Sequence, residues 1–282
     1  MSNPLLLNRR HPMSKPGITD TSRPNAGRIY DYLLGGHHNF EVDRQAAEQI
    51  RTLLPFIEKG MRLQRWCLQD VAEELTQKRG YDIIVDFASG LPTNDHFHEL
   101  VPESTTIIYS DNDPLVVEYA HEILQDRPNV HFFLADAARP LDLLNRPEVR
   151  DILGGRRDVA LIHWGIAGFL SDEEVAGAAR ALAEWAAPET CWVFNAQAAG
   201  GRADTPAAME VLKIYKQFGT SFHLRSLEQY HALVRPWQPD ERGFISILDW
   251  HGLDETIMSE EDRRIFSKSG GGYGAYLQLP QN

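Results

Sequence analysis

Short runs of β-branched and aromatic residues recur through the middle of this chain, near 82-87, 106-111, 130-135, 158-164 and 190-196. Between them lie stretches in which apolar side chains return every third or fourth position. Continuous apolar runs of this length, separated by helical pattern, read as parallel strands buried on both faces. Five such strands are expected. Ahead of them, Ile29 with Leu33 and Tyr30 with Leu34 give helical spacing from Pro24 to Leu34, with Gly35-Gly36 as the stop. A second helix is expected over 41-54. A third, over 60-78, aligns Leu63, Cys67, Val71 and Leu75. Ser171 with Glu174 and Ser226 with Gln229 have the spacing of capping boxes that open two later helices. The runs 243-250 and 273-279 predict a closing antiparallel pair. Residues 1-22 show no periodicity and are expected to form a flexible tail.

Three of the predicted strands end in acids spaced twenty-five apart: Asp86, Asp111 and Asp136. Ligands of open parallel sheets bind outside the carboxyl ends of the strands, so the three carboxylates are expected to converge on one crevice. Gathered acids repel unless a ligand brings donors and positive charge. S-adenosylmethionine meets that description with its ammonium, sulfonium, ribose diol and adenine amine. A dinucleotide instead brings a pyrophosphate that wants backbone N–H groups at a helix N-terminus. The acids alone leave both open. The turn after the first strand, Asp86-Phe87-Ala88-Ser89-Gly90, keeps one close-approach glycine but lacks the third glycine of the dinucleotide fingerprint.

The string Arg23-Pro24-Asn25-Ala26-Gly27-Arg28-Ile29-Tyr30-Asp31-Tyr32-Leu33-Leu34-Gly35-Gly36 adds a more specific signal. It continues in Asn39-Phe40, Asp43-Arg44, Gly90-Leu91-Pro92-Thr93, Asp111-Asn112-Asp113-Pro114 and Gly272-Tyr273-Gly274-Ala275. In these segments the chain resembles the actinobacterial-type S-adenosylmethionine-dependent methyltransferases, long known only as a domain of unknown function. The resemblance covers nearly everything after residue 20. Two positions depart from it. Ala88 stands where the family has glycine, adding a methyl group beside the cofactor, and His37-His38 replace a pair more like Lys-Asp.

The resemblance implies an α/β class I methyltransferase fold: a Rossmann-like seven-stranded sheet of order 3-2-1-4-5-7-6 with an N-terminal helical extension. It divides the chain into the tail 1-22, a helical lid 23-79 and an S-adenosylmethionine-binding domain 80-282. Asp86 and the turn Ala88, Ser89 and Gly90 are then expected at the methionine end, and Asp111 on both ribose hydroxyls. Asp136 and the Ala137 N–H are expected at adenine, with Asn112 along its edge. Tyr30, Tyr32 and Asn39 would touch cofactor or acceptor from a lid hinged at Gly35 and Gly36, although a plain helix stop explains those glycines equally well. His163, at the end of the fourth strand, is the candidate general base, with a hydrogen-bonded structural histidine as the alternative. Trp164, Phe169, Trp192 and Tyr215 are candidate linings of an acceptor pocket, although aromatic residues at such positions are more often core.

Composition narrows the rest. A formal net charge of -12 over 282 residues, without a Lys/Arg cluster, argues against nucleic acid as a partner. No run approaches the roughly 18 apolar residues of a membrane span, so a cytoplasmic location without membrane is expected. Cys67 and Cys191 read as buried free thiols. His37, His38, His96 and His98 lack carboxylates at metal spacing, so no metal is expected. The leading expectation is methyl transfer to a small-molecule acceptor, with a homodimer open. A cofactor-binding module without transferase activity and a NAD-dependent oxidoreductase are the alternatives, the latter short of chain for a separate substrate domain.

Overall fold

The computed structural model describes residues 21–93, 96–125, 127–198 and 205–280. Apart from its last two residues, the expected tail lies outside them. The five apolar runs become β1 (Ile83–Phe87), β2 (Thr106–Asp111), β3 (Val130–Leu134), β4 (Ala160–His163) and β5 (Cys191–Ala196). All pair in parallel. Two short strands follow, β6 (Gln238–Pro239) and β7 (Ile245–Ser246), before β8 (Tyr273–Gln278). The order is β3-β2-β1-β4-β5-β8-β6, with β7 also on β8. The last strand thus inserts antiparallel between the fifth and sixth, as expected.

One expected element differs. The apolar run 243-250 pairs only at Ile245–Ser246 and then turns into a helix, Ile247–Trp250. The Ser246 hydroxyl accepts the Asp249 N–H at 3.0 Å, so this serine starts a helical turn where hydrophobicity alone suggested more strand.

Strand alternation sorts the side chains between two cores. Val85, Phe87 and Leu161 face one layer; Ile84, Ile107 and Ile162 face the other. Against the second layer packs α3 (Ile57–Glu73), whose Leu63, Cys67 and Val71 are fully buried. A third cluster joins Ile29 and Leu33 of α1 (Ala26–Leu33), Ala47 and Ile50 of α2 (Glu41–Leu53), and Val211 of the helix Pro206–Gln217. These helices roof the carboxyl ends of the strands.

The Arg-Pro-Asn-Ala-Gly-Arg string is explained by this roof. Asn25 caps α1, accepting the Gly27 N–H at 2.8 Å. Asp43, wholly buried, accepts from the Asn25 and Phe40 backbones and from Arg28 Nε, each at 2.9 Å. Asp31 accepts from the His38 backbone at 2.9 Å and from Asn39 Nδ2 at 2.8 Å. Gly35 has φ +86°, and a Cβ on Gly36 would lie 2.1 Å from Asp31. The glycine pair is therefore required by the helix stop.

Candidate active site

A cavity of about 320 Å³ opens between the roof and the sheet edge, within the range of small-molecule sites. Asp86, Ala88, Ser89, Gly90, Asp111 and Asn112 line its sheet end. Alternation directs Asp86 to the same face as Ile84, towards α3. The turn holds Ala88 at φ +55° and Gly90 at φ +68°, a left-handed arrangement that costs an alanine more than a glycine. It is braced by Ser89 N–H donating to Ser110 O at 2.9 Å and by His96 Nε2 donating to Ser89 O at 3.2 Å. His96 Nδ1 meanwhile accepts the Phe97 N–H, so both of its nitrogens are engaged in shaping the loop. His98 lies against the Tyr109 hydroxyl. Among the described residues no cluster of histidine, cysteine or acid could hold a metal.

The electrostatics of this end are unusual. Burial raises the Asp86 carboxyl well above the usual carboxylate range; Arg65 opposes the rise and Asp111 adds to it. Burial likewise pushes Asp111 up to about 6, against the pull of the Asp113 and Gly90 N–H groups. Those two donate to separate Asp111 oxygens, at 2.9 and 3.2 Å, and each oxygen keeps a second lone pair. Arg65 of α3 is only 6 % exposed, lines the cavity, and its Nε has no hydrogen-bond partner. Tyr30 lines the same end, its hydroxyl pushed upward by burial.

Several expected residues fall elsewhere. His163 is 1 % exposed and does not line the cavity. Trp192 Nε1 donates to its Nδ1 at 3.1 Å, which puts the ring proton on Nε2, and that N–H meets the Ala137 carbonyl at 3.1 Å. Both nitrogens are engaged, a face stacks on Phe87, and burial lowers its pKa to about 4, so the structure places His163 as a hydrogen-bonded core histidine away from the cavity lining. Trp164, one residue on and on the other face, lines the cavity, whereas Trp192 is core. Asp136 and Ala137 are not in the lining. The Asp136 carboxylate accepts the Ala138 N–H at 2.9 Å and lies 3.4 Å from Arg139. Two of the three acids converge on the cavity, and the third stands outside it. Tyr32 donates to Glu48 at 2.8 Å, and Gly35, Gly36 and Asn39 brace the roof without reaching the cavity wall.

Arg65 was not singled out in the sequence, where a charged residue inside a helical stripe reads as solvated. The signal was a second stripe on α3, Met61, Arg65 and Leu68, at helical spacing beside Leu63, Cys67 and Val71.

Solved structures agree with this architecture. A candidate methyltransferase of Thermobifida fusca YX is 25% identical, with a TM-score of 0.80 over 95% of this chain and 99% of that one. A DUF574 family protein from Streptomyces avermitilis MA-4680 is 26% identical, with a TM-score of 0.79 over 93% and 100%. The magnesium protoporphyrin IX methyltransferase of Synechocystis PCC 6803, solved with S-adenosylhomocysteine, is 14% identical with a TM-score of 0.50 over 94% and 98%, which shows a shared fold only. No curated protein matches. The S-adenosyl methyltransferase family is matched over residues 13–273. With the sheet order, the acid-lined cavity at its carboxyl edge and a family match along most of its length, the chain belongs to the S-adenosyl methyltransferase family and is an S-adenosylmethionine-dependent methyltransferase.

Proposed function

We propose that the cofactor lies across the sheet end of the cavity, with Arg65 and Asp86 at its amino-acid end and Asp111 at its ribose. The single observation carrying this reading is the buried, unpartnered Nε of Arg65 in a cavity that also holds the buried Asp86 carboxyl. A guanidinium left without a full set of partners is costly unless a ligand completes it. An amino acid's carboxylate and ammonium suit this pair. The residues therefore fit S-adenosylmethionine.

Asp111 is the natural acceptor for a diol, since a carboxylate takes two hydrogen bonds and charge-assisted bonds are the stronger ones. Asn112 extends the polar edge, and the Gly90 turn lets backbone come close without a side chain in the way. When bound, the cofactor supplies a methyl group on positively charged sulfur. The chain's own part is to orient it, to exclude water with the apolar roof, and to present an acceptor. Among the described residues lining the cavity there is no histidine, lysine or cysteine. The proton acceptors the lining does offer are the carboxyls of Asp86 and Asp111, so a nucleophile that must lose a proton gives it to one of these or to water, and one with a free lone pair needs no base. A small-molecule acceptor is supported by the enclosed shape of the cavity.

The test is calorimetry with S-adenosylhomocysteine. Asp111→Ala should weaken its binding by roughly 1.5 to 3 kcal/mol, the range for a charge-assisted hydrogen bond. Unchanged affinity removes Asp111 from the site.

A further inference from the structure

Away from the sheet edge the cavity changes character. Its wall becomes Leu33, Ile50 and Val211 of the roof, and three rings close it: Phe169, Tyr215 and Phe222. Phe169 meets Tyr215 edge to face at 5.5 Å and Phe222 edge to face at 4.9 Å, while Tyr215 and Phe222 stack at 5.8 Å. Gly168 is what admits Phe222, since a Cβ there would lie 2.6 Å from its ring. The segment carrying Phe222 is pinned where His223 N–H donates to Gly168 O at 2.7 Å. The rings are therefore held in place as one wall.

The ionisable residues of the described lining divide unevenly. Arg65, Asp86 and Asp111 line the sheet end, and Tyr30 feels the charges of Arg65 and Asp86. The apolar half holds only Tyr215, which burial pushes up to about 12 and keeps neutral. A charged ligand group placed there would lose its water and find no partner of opposite sign. Apolar area alone would accept any greasy molecule. Fixed ring edges and faces favour another ring over an aliphatic group of the same size.

We propose that this half of the cavity receives the methyl acceptor, and that the acceptor is an uncharged, flat aromatic molecule lying against Phe169, Tyr215 and Phe222. This rests on the cofactor reading above for its orientation: the reacting atom points to the sheet end, and the ring system fills the apolar end.

The experiment titrates 2-naphthol, decahydro-2-naphthol and 2-naphthoate into the protein saturated with S-adenosylhomocysteine, by calorimetry. The aromatic alcohol is expected to bind about tenfold more tightly than either the saturated alcohol or the carboxylate. Phe222→Leu and Tyr215→Leu, which keep apolar bulk but remove a ring, should each weaken 2-naphthol about threefold and leave S-adenosylhomocysteine within about twofold. No measurable binding of 2-naphthol, equal binding of the three compounds, or unchanged 2-naphthol affinity in both variants overturns the proposal. Repeating the series without S-adenosylhomocysteine separates the two readings. Ring-selective binding should persist there, whereas failure of S-adenosylhomocysteine to bind the unmodified protein strikes the cofactor assignment alone.

Discussion

Arg28 of α1 reaches across to Asp113, Nη1 to Oδ2 at 3.2 Å, just beyond the strand that ends in Asp111. The same guanidinium holds Asp43 through Nε at 2.9 Å, and all three side chains are buried. The helix that roofs the cavity is thus tied to the loop that directly follows Asp111 at the end of β2. Arg28→Met should leave two buried carboxylates uncompensated and cost about 3–5 kcal/mol in denaturant unfolding. A loss under about 1 kcal/mol would mean that the roof is anchored elsewhere.

Asp111 should give the proposed cofactor site a pH dependence. Its carboxyl is raised to about 6 by burial, so it is ionised above that value and protonated below it. Ligand hydroxyls favour the ionised form. Affinity for S-adenosylhomocysteine should therefore fall as pH drops through 6, by up to about tenfold per unit for the Asp111 proton, in addition to any step from the raised Asp86 carboxyl. Asp111→Asn should bind more weakly and lose that step. An unmodified protein whose affinity is constant from pH 7.5 to 5 would contradict this.

Arg65 and Asp111 are separable by ligand. Arg65→Met should weaken S-adenosylhomocysteine by about ten- to a hundredfold, the loss of a charged hydrogen bond. It should leave 5′-methylthioadenosine, which lacks the amino-acid group, unaffected. Asp111→Ala should weaken both. Equal losses for both ligands in Arg65→Met would place the guanidinium away from the methionine end.

What the sequence could reveal follows from what each residue's role leaves as a pattern. The five parallel strands were legible because strands buried on both faces are uniformly apolar, and the two capping boxes because a cap is a local event. β6 was not, since two residues ending in Pro239 carry no strand pattern. The cavity acids were legible as strand ends. Arg65 was hidden because helical spacing is the same for a residue facing a core and one facing a cavity. His163 was one position off: alternation along β4 sends it to the Trp192 side and sends Trp164 to the cavity.

That offset has a measurable consequence. His163→Ala removes a buried ring, orphans the Trp192 N–H and the Ala137 carbonyl, and should cost about 2–4 kcal/mol of stability. S-adenosylhomocysteine affinity measured on the folded fraction should change little. A variant of full stability that no longer methylates would return His163 to the chemistry.

Ala88 is the position where this chain adds a methyl group at a turn the resemblance assigns to glycine, and its backbone sits at φ +55°. An alanine in the left-handed region pays roughly 1–2 kcal/mol. Ala88→Gly removes that strain but returns about 0.5–1 kcal/mol through the greater freedom of glycine in the unfolded chain. The balance is a gain of up to about 1.5 kcal/mol, read as a higher denaturation midpoint at unchanged slope. Because Ala88 also lines the cavity, losing its Cβ should not reduce S-adenosylhomocysteine affinity. A destabilised Ala88→Gly protein would mean that the methyl group's packing against Phe87 and its neighbours outweighs the strain, and that the alanine is held there by the core and not merely tolerated by the turn.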